Sequence, residues 1–541
     1  MGDVPGAGSG GAKTDEQKLH ELGYAQELKR GMGAFSNFAV SFTIISILSG
    51  CLTLFGFGMY TGGPASAAYG WPLVGILVTF VALAMAEICS SYPTAGGLYY
   101  WSAKVAPKNG PVWSWFTGWF NLLGQVAITA GIDFGLAAFL CAFFHIAFSV
   151  EVTRLILVVT YTTVLAIHGI MNTFGIKLVA FLNDVSVWWH ITGVLVIFGL
   201  LFFVPDHHTR FGVIFSFSST AAPGQVAGFV NGTGFSTGFF GSTIYIFLIG
   251  MLMSQYTLTG YDASAHMTEE THDADISGPK GVYRSVVISV IFGWILLLGV
   301  WHAVQGAPGF TKALSFQLQT SNIAAPAQIF FDAVGKNLAI FMLIIVIGAQ
   351  FFCGMASVTA NSRMIYAFSR DGAIPGSKFW HSINKRTRTP TNSIWFAVVG
   401  AWLLVVPAYW RGSLTAYFAV TAIAVIGLYI AYVLPTFLRL RAGKAFKPGP
   451  WNLGKWSVPV GYVAVIWTVF ICIMLMMPQL SPGGLGLKEI DALNYAPVAV
   501  GIVIGFAGIY WLLSARKWFK GPKVQGTPEE LAAIEHELES V

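Results

Sequence analysis

Charge is what this sequence has least of. Only 10% of its 541 residues are Asp, Glu, Lys or Arg, where a soluble domain carries about 25%. That is too little ionisable surface to keep a chain of this size in water. Cysteine is scarce too. Cys51, Cys89, Cys141, Cys353 and Cys472 all lie inside apolar runs, which argues against a loop-stapling disulfide framework and for buried free thiols. HExxH, GxSxG, P-loop and CxxC signatures are missing, so no enzyme class is indicated. Segments of about ten strictly alternating residues are missing as well, which excludes a membrane β-barrel. No cleavable leader is expected, because about 34 polar or mixed residues precede the first apolar run.

What is present is hydrocarbon. The chain is 55% hydrophobic, with a mean hydropathy of +0.67. Stretches such as LVGILVTFVALAMA (Leu73–Ala86) recur along it. The expected fold class is an all-α polytopic membrane protein. Twelve transmembrane helices are predicted, near 36–59, 70–92, 112–146, 152–171, 175–203, 239–265, 282–304, 328–367, 391–410, 413–437, 457–477 and 495–514. The third and eighth exceed what the hydrocarbon requires, by tilting or by extending beyond it. Tryptophans such as Trp71, Trp113, Trp451 and Trp456 fall near predicted interfaces, as an aromatic belt does.

Lysine and arginine set the orientation. With both termini cytoplasmic, 24 of the 30 basic residues fall on the inner side. The outer side keeps Arg154, Arg210, Lys312, Lys336, Arg411 and Lys488. Basic residues placed as loop anchors give no support to nucleic-acid binding. The tails read as short helices. Thr14–Gln17 and Thr527–Glu530 both have the spacing of a capping box, the second with Pro528 at the first helical position.

Two interruptions carry the chemistry. Span one places Ser46, Ser49 and Gly50 at mid-depth (FTIISILSGCLTLFGFG), and span six places Thr259, Gly260 and Asp262 comparably deep (YTLTGYD). Freed backbone groups there must meet protein, water or a ligand. Half-helix N-termini suit carboxylates and C-termini suit cations. Paired interruptions five spans apart point to an inverted-repeat transporter site. Ser49-Gly50 alone reads equally as close helix packing. Asp262 weighs toward function, since intramembrane acids are costly.

Other polar residues keep two readings. His190, midway along span five, is either a proton carrier or a neutral ring bonded to a nearby carbonyl. Gln125 is interhelical glue or a solute contact. Asn183 and Asp184 would line an inner exit. Glu87 would pair with a basic residue. Arg363, Arg370 and Asp371 read as paired or solvated. Glu269, Glu270, His272, Asp273 and Asp275 could bind a cation, but read first as a solvated helix end or one side of a gate salt bridge.

These motifs resemble those of the amino acid–polyamine–organocation transporters, in particular the amino acid/choline group with its GABA permeases. The resemblance rests on ISILSGCLTLFGFGMYTGGP (Ile45–Pro64), AEICSSYPTAGGLYYW (Ala86–Trp101), GWFNLLGQ (Gly118–Gln125), TGYDASAHMTEET (Thr259–Thr271) and NSRMIYAFSRDGAIP (Asn361–Pro375), in that order. It implies a five-plus-five inverted repeat of the LeuT type with helices 1 and 6 broken, plus two C-terminal helices. The parts would be a cytoplasmic tail 1–34, a first repeat 35–203, an outer loop 204–238, a second repeat 239–437, a terminal pair 438–514 and a tail 515–541. It implies substrate at the breaks, bound by Ser46, Ser49 and Gly50, with Ser49 and Gly50 offering amides to a carboxylate. Thr259 and Gly260 would face the amine, Tyr256 and Tyr261 would frame it, and Gln125 would contact it. Asp262 stands where many relatives carry Glu.

The expectation is a plasma-membrane permease importing a small amino acid or amine, GABA first, by alternating access. It has no enzymatic activity, cofactor or metal. A proton gradient would drive it, with His190 as the coupling group; Ser357 and Thr359 keep sodium open. Choline, a polyamine and obligate exchange are the alternatives. Substrate identity and oligomeric state are not legible in the sequence.

Overall fold

The computed structural model describes residues 14–174, 176–215, 243–306, 309, 312–313, 324–409, 414–477 and 496–539. The predicted outer loop lies largely outside these residues, as do Arg411, Lys488 and the start of predicted span six.

The described residues are almost wholly helical, and two isolated bridges are their only β-pairing. A backbone in hydrocarbon must satisfy its own hydrogen bonds, and the helix does so within one segment. Among the described residues ten helices are long and apolar enough to cross a membrane. The chain is therefore a multi-pass membrane protein. Each predicted span meets a helix, but two differ in kind. The ninth is the shorter apolar stretch Thr391–Val406. The sixth is a chain of short pieces.

The tail helix α1 (Asp15–Leu22) precedes α2 (Ala34–Ile45), α3 (Ile47–Thr53) and α4 (Phe55–Thr61), which together make the first span. Next come α5 (Trp71–Ser91), the short α6 (Gly97–Val105), α7 (Gly110–Phe148), α8 (Arg154–Phe174) and α9 (Ile176–Phe203). The sixth segment is α10 (Thr243–Gly250), α11 (Leu252–Thr257) and α12 (Ala263–His266). Then follow α13 (Ala274–Ala303), α14 (Ala325–Arg370), α15 (Thr391–Tyr409), α16 (Leu414–Ala442), α17 (Ser457–Met476), α18 (Ala496–Tyr510) and the tail helix α19 (Pro528–Glu539).

Two lengths differ from expectation for stated reasons. α13 begins at Ala274, eight residues before the predicted 282, because its first turn projects beyond the apolar run; Asp15 caps the Asp273 and Ala274 amides and Lys18 bridges Asp275 at 2.8 Å. α14 is 46 residues long, but Gly335 at φ 77° interrupts it, so its length comes from two helices joined at a bend. α7 runs 39 residues without such a break.

α7 is the spine, packed against α14 and α16. Its glycines permit this. A Cβ at Gly118 would lie 2.2 Å from Phe368, and one at Gly124 2.6 Å from the Leu428 backbone nitrogen. Where lipid supplies no hydrophobic drive between helices, such close approach supplies the dispersion that holds them.

Candidate functional site

Helical geometry fails at two points, and the freed groups find partners. At Ser46 the backbone enters the left-handed region (φ 32°, ψ 81°), rare for a residue with a side chain. The Ile44 carbonyl, which a continuous helix would offer to residue 48, instead accepts the Cys353 thiol at 3.2 Å. Between α11 and α12 the chain is open from Leu258 to Asp262, with Gly260 at φ 90°. The Leu258 carbonyl accepts from Tyr429 Oη (2.8 Å) and the Tyr261 carbonyl from Ser41 Oγ (2.9 Å). The Gly260 amide donates to Tyr432 Oη at 3.3 Å. Buried backbone in a membrane protein must be satisfied in this way.

The two breaks abut. A Cβ at Gly50 would stand 2.6 Å from Thr257 Oγ1 and 2.8 Å from Thr257 Cα; one at Gly260 would stand 2.3 Å from Ile44 Cγ2. The two broken segments are thus in direct contact.

The sequence-predicted residues gather here with distinct partners. Ser46 Oγ lies 2.7 Å from His190 Nε2, and His190 Nδ1 lies 2.8 Å from the Ser186 carbonyl. The carbonyl can only accept, so Nδ1 carries a proton; in the neutral ring Nε2 then accepts from Ser46. A second proton, on Nε2, would reverse that bond. Both readings of His190 thus meet in one geometry: it bonds a carbonyl and it touches the break. The Ser49 and Gly50 amides both donate to the Ser46 carbonyl, at 2.8 and 3.0 Å. Those amides are occupied by the break itself. Thr259 Oγ1 donates to the Tyr256 carbonyl (2.6 Å). Tyr256 reaches α7, where a Cβ at Gly131 would lie 2.5 Å from its hydroxyl.

Gln125 and Asp262 bond each other. Gln125 Nε2 donates to Asp262 Oδ2 at 2.7 Å, and Tyr432 Oη donates to Oδ1 at 2.6 Å. His266 Nε2 stands 3.3 Å from Oδ2. Tyr261 packs on Tyr432 with ring centroids 4.9 Å apart, and Tyr429 lies 5.2 Å from Tyr432. Ser357 shares a hydroxyl bond with Thr129 (2.8 Å), and Thr359 donates to Asn172 (2.6 Å), so both tie α14 to its neighbours. The Gln255 and Gln350 amides are fully buried and have no hydrogen-bond partner among the described residues. Unsatisfied groups of that kind need a stated reason.

The end of the bundle that carries the termini is latched. Glu269 pairs with Arg370 at 3.1 Å and Glu270 with Arg363 at 2.8 Å, all deeply buried. Asp371 accepts from Tyr99 (2.7 Å), Tyr24 (3.1 Å) and the Lys523 amide (3.0 Å). Burial pushes its carboxyl up from the ordinary value, against the pull of Arg370. The Arg370 guanidinium sits 3.9 Å over the Tyr24 ring. Glu87 pairs with Arg439 at 3.2 Å. Asp184 accepts from Ser36 at 3.0 Å. Both tail boxes form: Thr14 with Gln17, and Thr527 with Glu530. The tails then join through His20–Glu535 (2.8 Å) and the Gln525 amide bond to the Gly23 carbonyl (2.9 Å).

Sequence reasoning missed several residues. Tyr429, Tyr432 and Ser41 satisfy the second break, yet they read as ordinary membrane-helix residues. Asp133 and His168 were missed too. The signal existed: an acid in ITAGIDFG and an imidazole in LAIHGIMN are both ionisable groups within apolar runs.

An apolar all-helical chain with two broken helices meeting at a polar centre is organised as a membrane permease. Residues 33–506 match the family model of the amino acid permeases, and the chain belongs to that family. It is a transporter of the amino acid permease kind and not an enzyme. It is similar to amino-acid permease BAT1 of Arabidopsis thaliana, 42% identical over 522 residues, covering 94% of this chain and 96% of the relative. It is equally similar to the BAT1 homolog of Oryza sativa subsp. japonica, 42% identical with 95% and 96% covered. A GABA-specific permease of Saccharomyces cerevisiae is 30% identical, with 94% and 86% covered.

Proposed function

We propose that this permease imports a small zwitterionic amino acid across the plasma membrane, GABA being the first candidate, with the proton gradient as driving force. Both termini would be cytoplasmic. Alternating access would rock residues 35–203 and 239–437, as two inverted repeats, around the paired breaks. The observation that carries the reading is the direct contact of the two breaks at Gly50–Thr257 and Gly260–Ile44. A solute held there touches both repeats at once, so closure around it and passage through it become one movement. On opening, the carboxylate would take the Ser49 and Gly50 amides from the Ser46 carbonyl. The amine would meet the carbonyl side of the second break, framed by Tyr256, Thr259, Gly260 and Tyr261, with Gln125 and Asp262 behind it. The similarity to a GABA-specific permease supports the choice of solute. The His190–Ser46 contact supports proton coupling, because a change of charge on the ring acts on the hinge itself.

The test is radiolabelled GABA uptake into proteoliposomes, competed by amino acids, choline and polyamines, with and without a pH gradient. Accumulation that needs the gradient and is competed by amino acids is the expected result. Uptake only into amino-acid-loaded vesicles means obligate exchange. Competition by choline alone overturns the zwitterion reading. That second outcome has one structural argument behind it: Tyr261, Tyr429 and Tyr432 cluster beside the Asp262 carboxylate, and aromatic faces attract quaternary ammonium. His190→Ala should abolish acid stimulation of uptake while leaving exchange partly intact; retained stimulation removes that role.

A further inference from the structure

Asp133 on α7 and His168 on α8 form a second buried acid–imidazole pair, outside the substrate position described above. Asp133 Oδ1 lies 3.1 Å from His168 Nδ1, and both side chains are 0% exposed. The pair is half finished. Among the described residues Asp133 Oδ2 and His168 Nε2 have no hydrogen-bond partner. An unpaired buried carboxylate oxygen in a membrane protein is costly, and such residues mark ion and proton pathways.

The surroundings are specific. Among the described residues no Lys or Arg pairs with Asp133. Tyr161 on α8, Tyr256 on α11 and Cys353 on α14 are the titratable groups whose electrostatics it influences. The backbone of α14 closes over the pair: a Cβ at Gly354 would lie 1.9 Å from Asp133 Oδ1 and 2.6 Å from His168 Cε1. Gln350, one turn along the same face of α14, has both amide atoms buried and unpartnered. Phe351 seals the ring edge-on, with centroids 4.7 Å apart. The α14 backbone and the Phe351 ring therefore cover the pair on this side.

We propose that Asp133–His168 is a proton-binding site whose access is gated by α14. One proton converts the aspartate–imidazole pair, with net charge −1, into a neutral pair; no bond between heavy atoms changes and no redox partner is needed. The site lies about 12 Å along α7 from Gln125, at 1.5 Å per residue, on the side away from the tails. Tyr256 stands between it and the second break, its hydroxyl against α7 at Gly131. A charged pair favours the open, hydrated arrangement and a neutral pair tolerates the closed one. Protonation thereby biases the same movement that closes the breaks. The coupling role rests on the transport reading above; the protonation itself does not.

The experiment has two arms on the full chain in lipid. Infrared difference spectra between alkaline and acid medium, in light and heavy water, should show a carboxyl or imidazole band that Asp133→Asn and His168→Gln each remove. A band surviving both substitutions, or one that follows sodium at fixed pH, overturns the site. The second arm is GABA accumulation at a membrane potential clamped to zero under a gradient of one pH unit. Asp133→Asn removes this coupled proton and leaves the one assigned to His190, so it should lower the steady-state ratio by about tenfold, since each tenfold corresponds to about 1.4 kcal/mol, while counterflow persists. An unchanged ratio overturns the coupling role. If wild type accumulates no GABA, the transport reading fails, and the spectra still decide the proton site.

Discussion

Two Asp–His pairs flank the second break, and they are built differently. Asp262 has both oxygens engaged, by Gln125 and by Tyr432, with His266 at 3.3 Å. Asp133 has one oxygen on His168 and the other, among the described residues, without a partner. Both are fully buried. The contrast separates a carboxylate held in place from one left available. A charge that accepts several hydrogen bonds is a fixed part of the architecture. A charge with an open oxygen is held by the surrounding packing, not by its own bonds, and a proton can finish it. Location agrees with this division. Asp262 organises the side of the break nearer the tails, where the Glu269–Arg370 and Glu270–Arg363 pairs are also complete.

Removing the satisfied carboxylate should do the most damage. Asp262→Ala strands the Tyr432 hydroxyl, the Gln125 amide and His266 in a fully buried site. The expected loss is about 3–5 kcal/mol, the range for breaking a buried charged contact, with uptake abolished. Thermal unfolding of the detergent-purified protein reads the first and vesicle uptake the second. A loss below about 1 kcal/mol, the size of one ordinary hydrogen bond, would put Asp133 and Asp262 in the same category and break the comparison.

The hinge glycines come next. Gly50→Val forces its side chain into Thr257, which overpacking data put at about 1–3 kcal/mol. Gly260→Ala adds a Cβ at φ 90° beside Ile44, at about 1–2 kcal/mol for the left-handed backbone alone. Both variants should insert into the membrane and fail to bind substrate. Unchanged affinity in either would remove the breaks from the binding surface. Asp133→Asn should be milder for stability, within about 1 kcal/mol of wild type, because it deletes no satisfied network and an amide is nearly the same size. Its visible effect should fall on the pH response.

These differences show what a sequence can and cannot disclose. The helical membrane class and most helix positions follow from one-dimensional hydropathy, which is why all twelve predicted spans meet helix. The two interruptions were legible because Gly260 and the Ser46–Gly50 run are local signals of departure from helix. Pairings were not. That Gln125 bonds Asp262, or that Cys353 caps Ile44, depends on how helices far apart in sequence face one another. Asp133 and His168, 35 residues apart, carried a per-residue signal, an ionisable group in an apolar run. Their partnership needed the fold. The Gly335 bend was missed because a glycine inside a long apolar helix has no distinctive neighbours. The Glu269 and Glu270 cluster has several readings in sequence, and the geometry selects salt bridges.

The smallest expected effect supplies the control for the whole comparison. Lys385 and Glu537 form an ion pair at 3.1 Å, as short as Glu269–Arg370, but their side chains are 63% and 70% exposed. Water screens this pair and competes for both partners, and its long side chains lose rotamer freedom to hold one geometry. Exposed pairs of this kind contribute about 0–1 kcal/mol. Lys385→Ala should therefore leave thermal stability and uptake near wild type, and added salt should erase what difference remains. If Lys385→Ala instead costs as much as Asp262→Ala, burial is not what separates the two classes of pair. The latch of α19 onto the bundle would then have to be counted among the contacts that set the transport equilibrium.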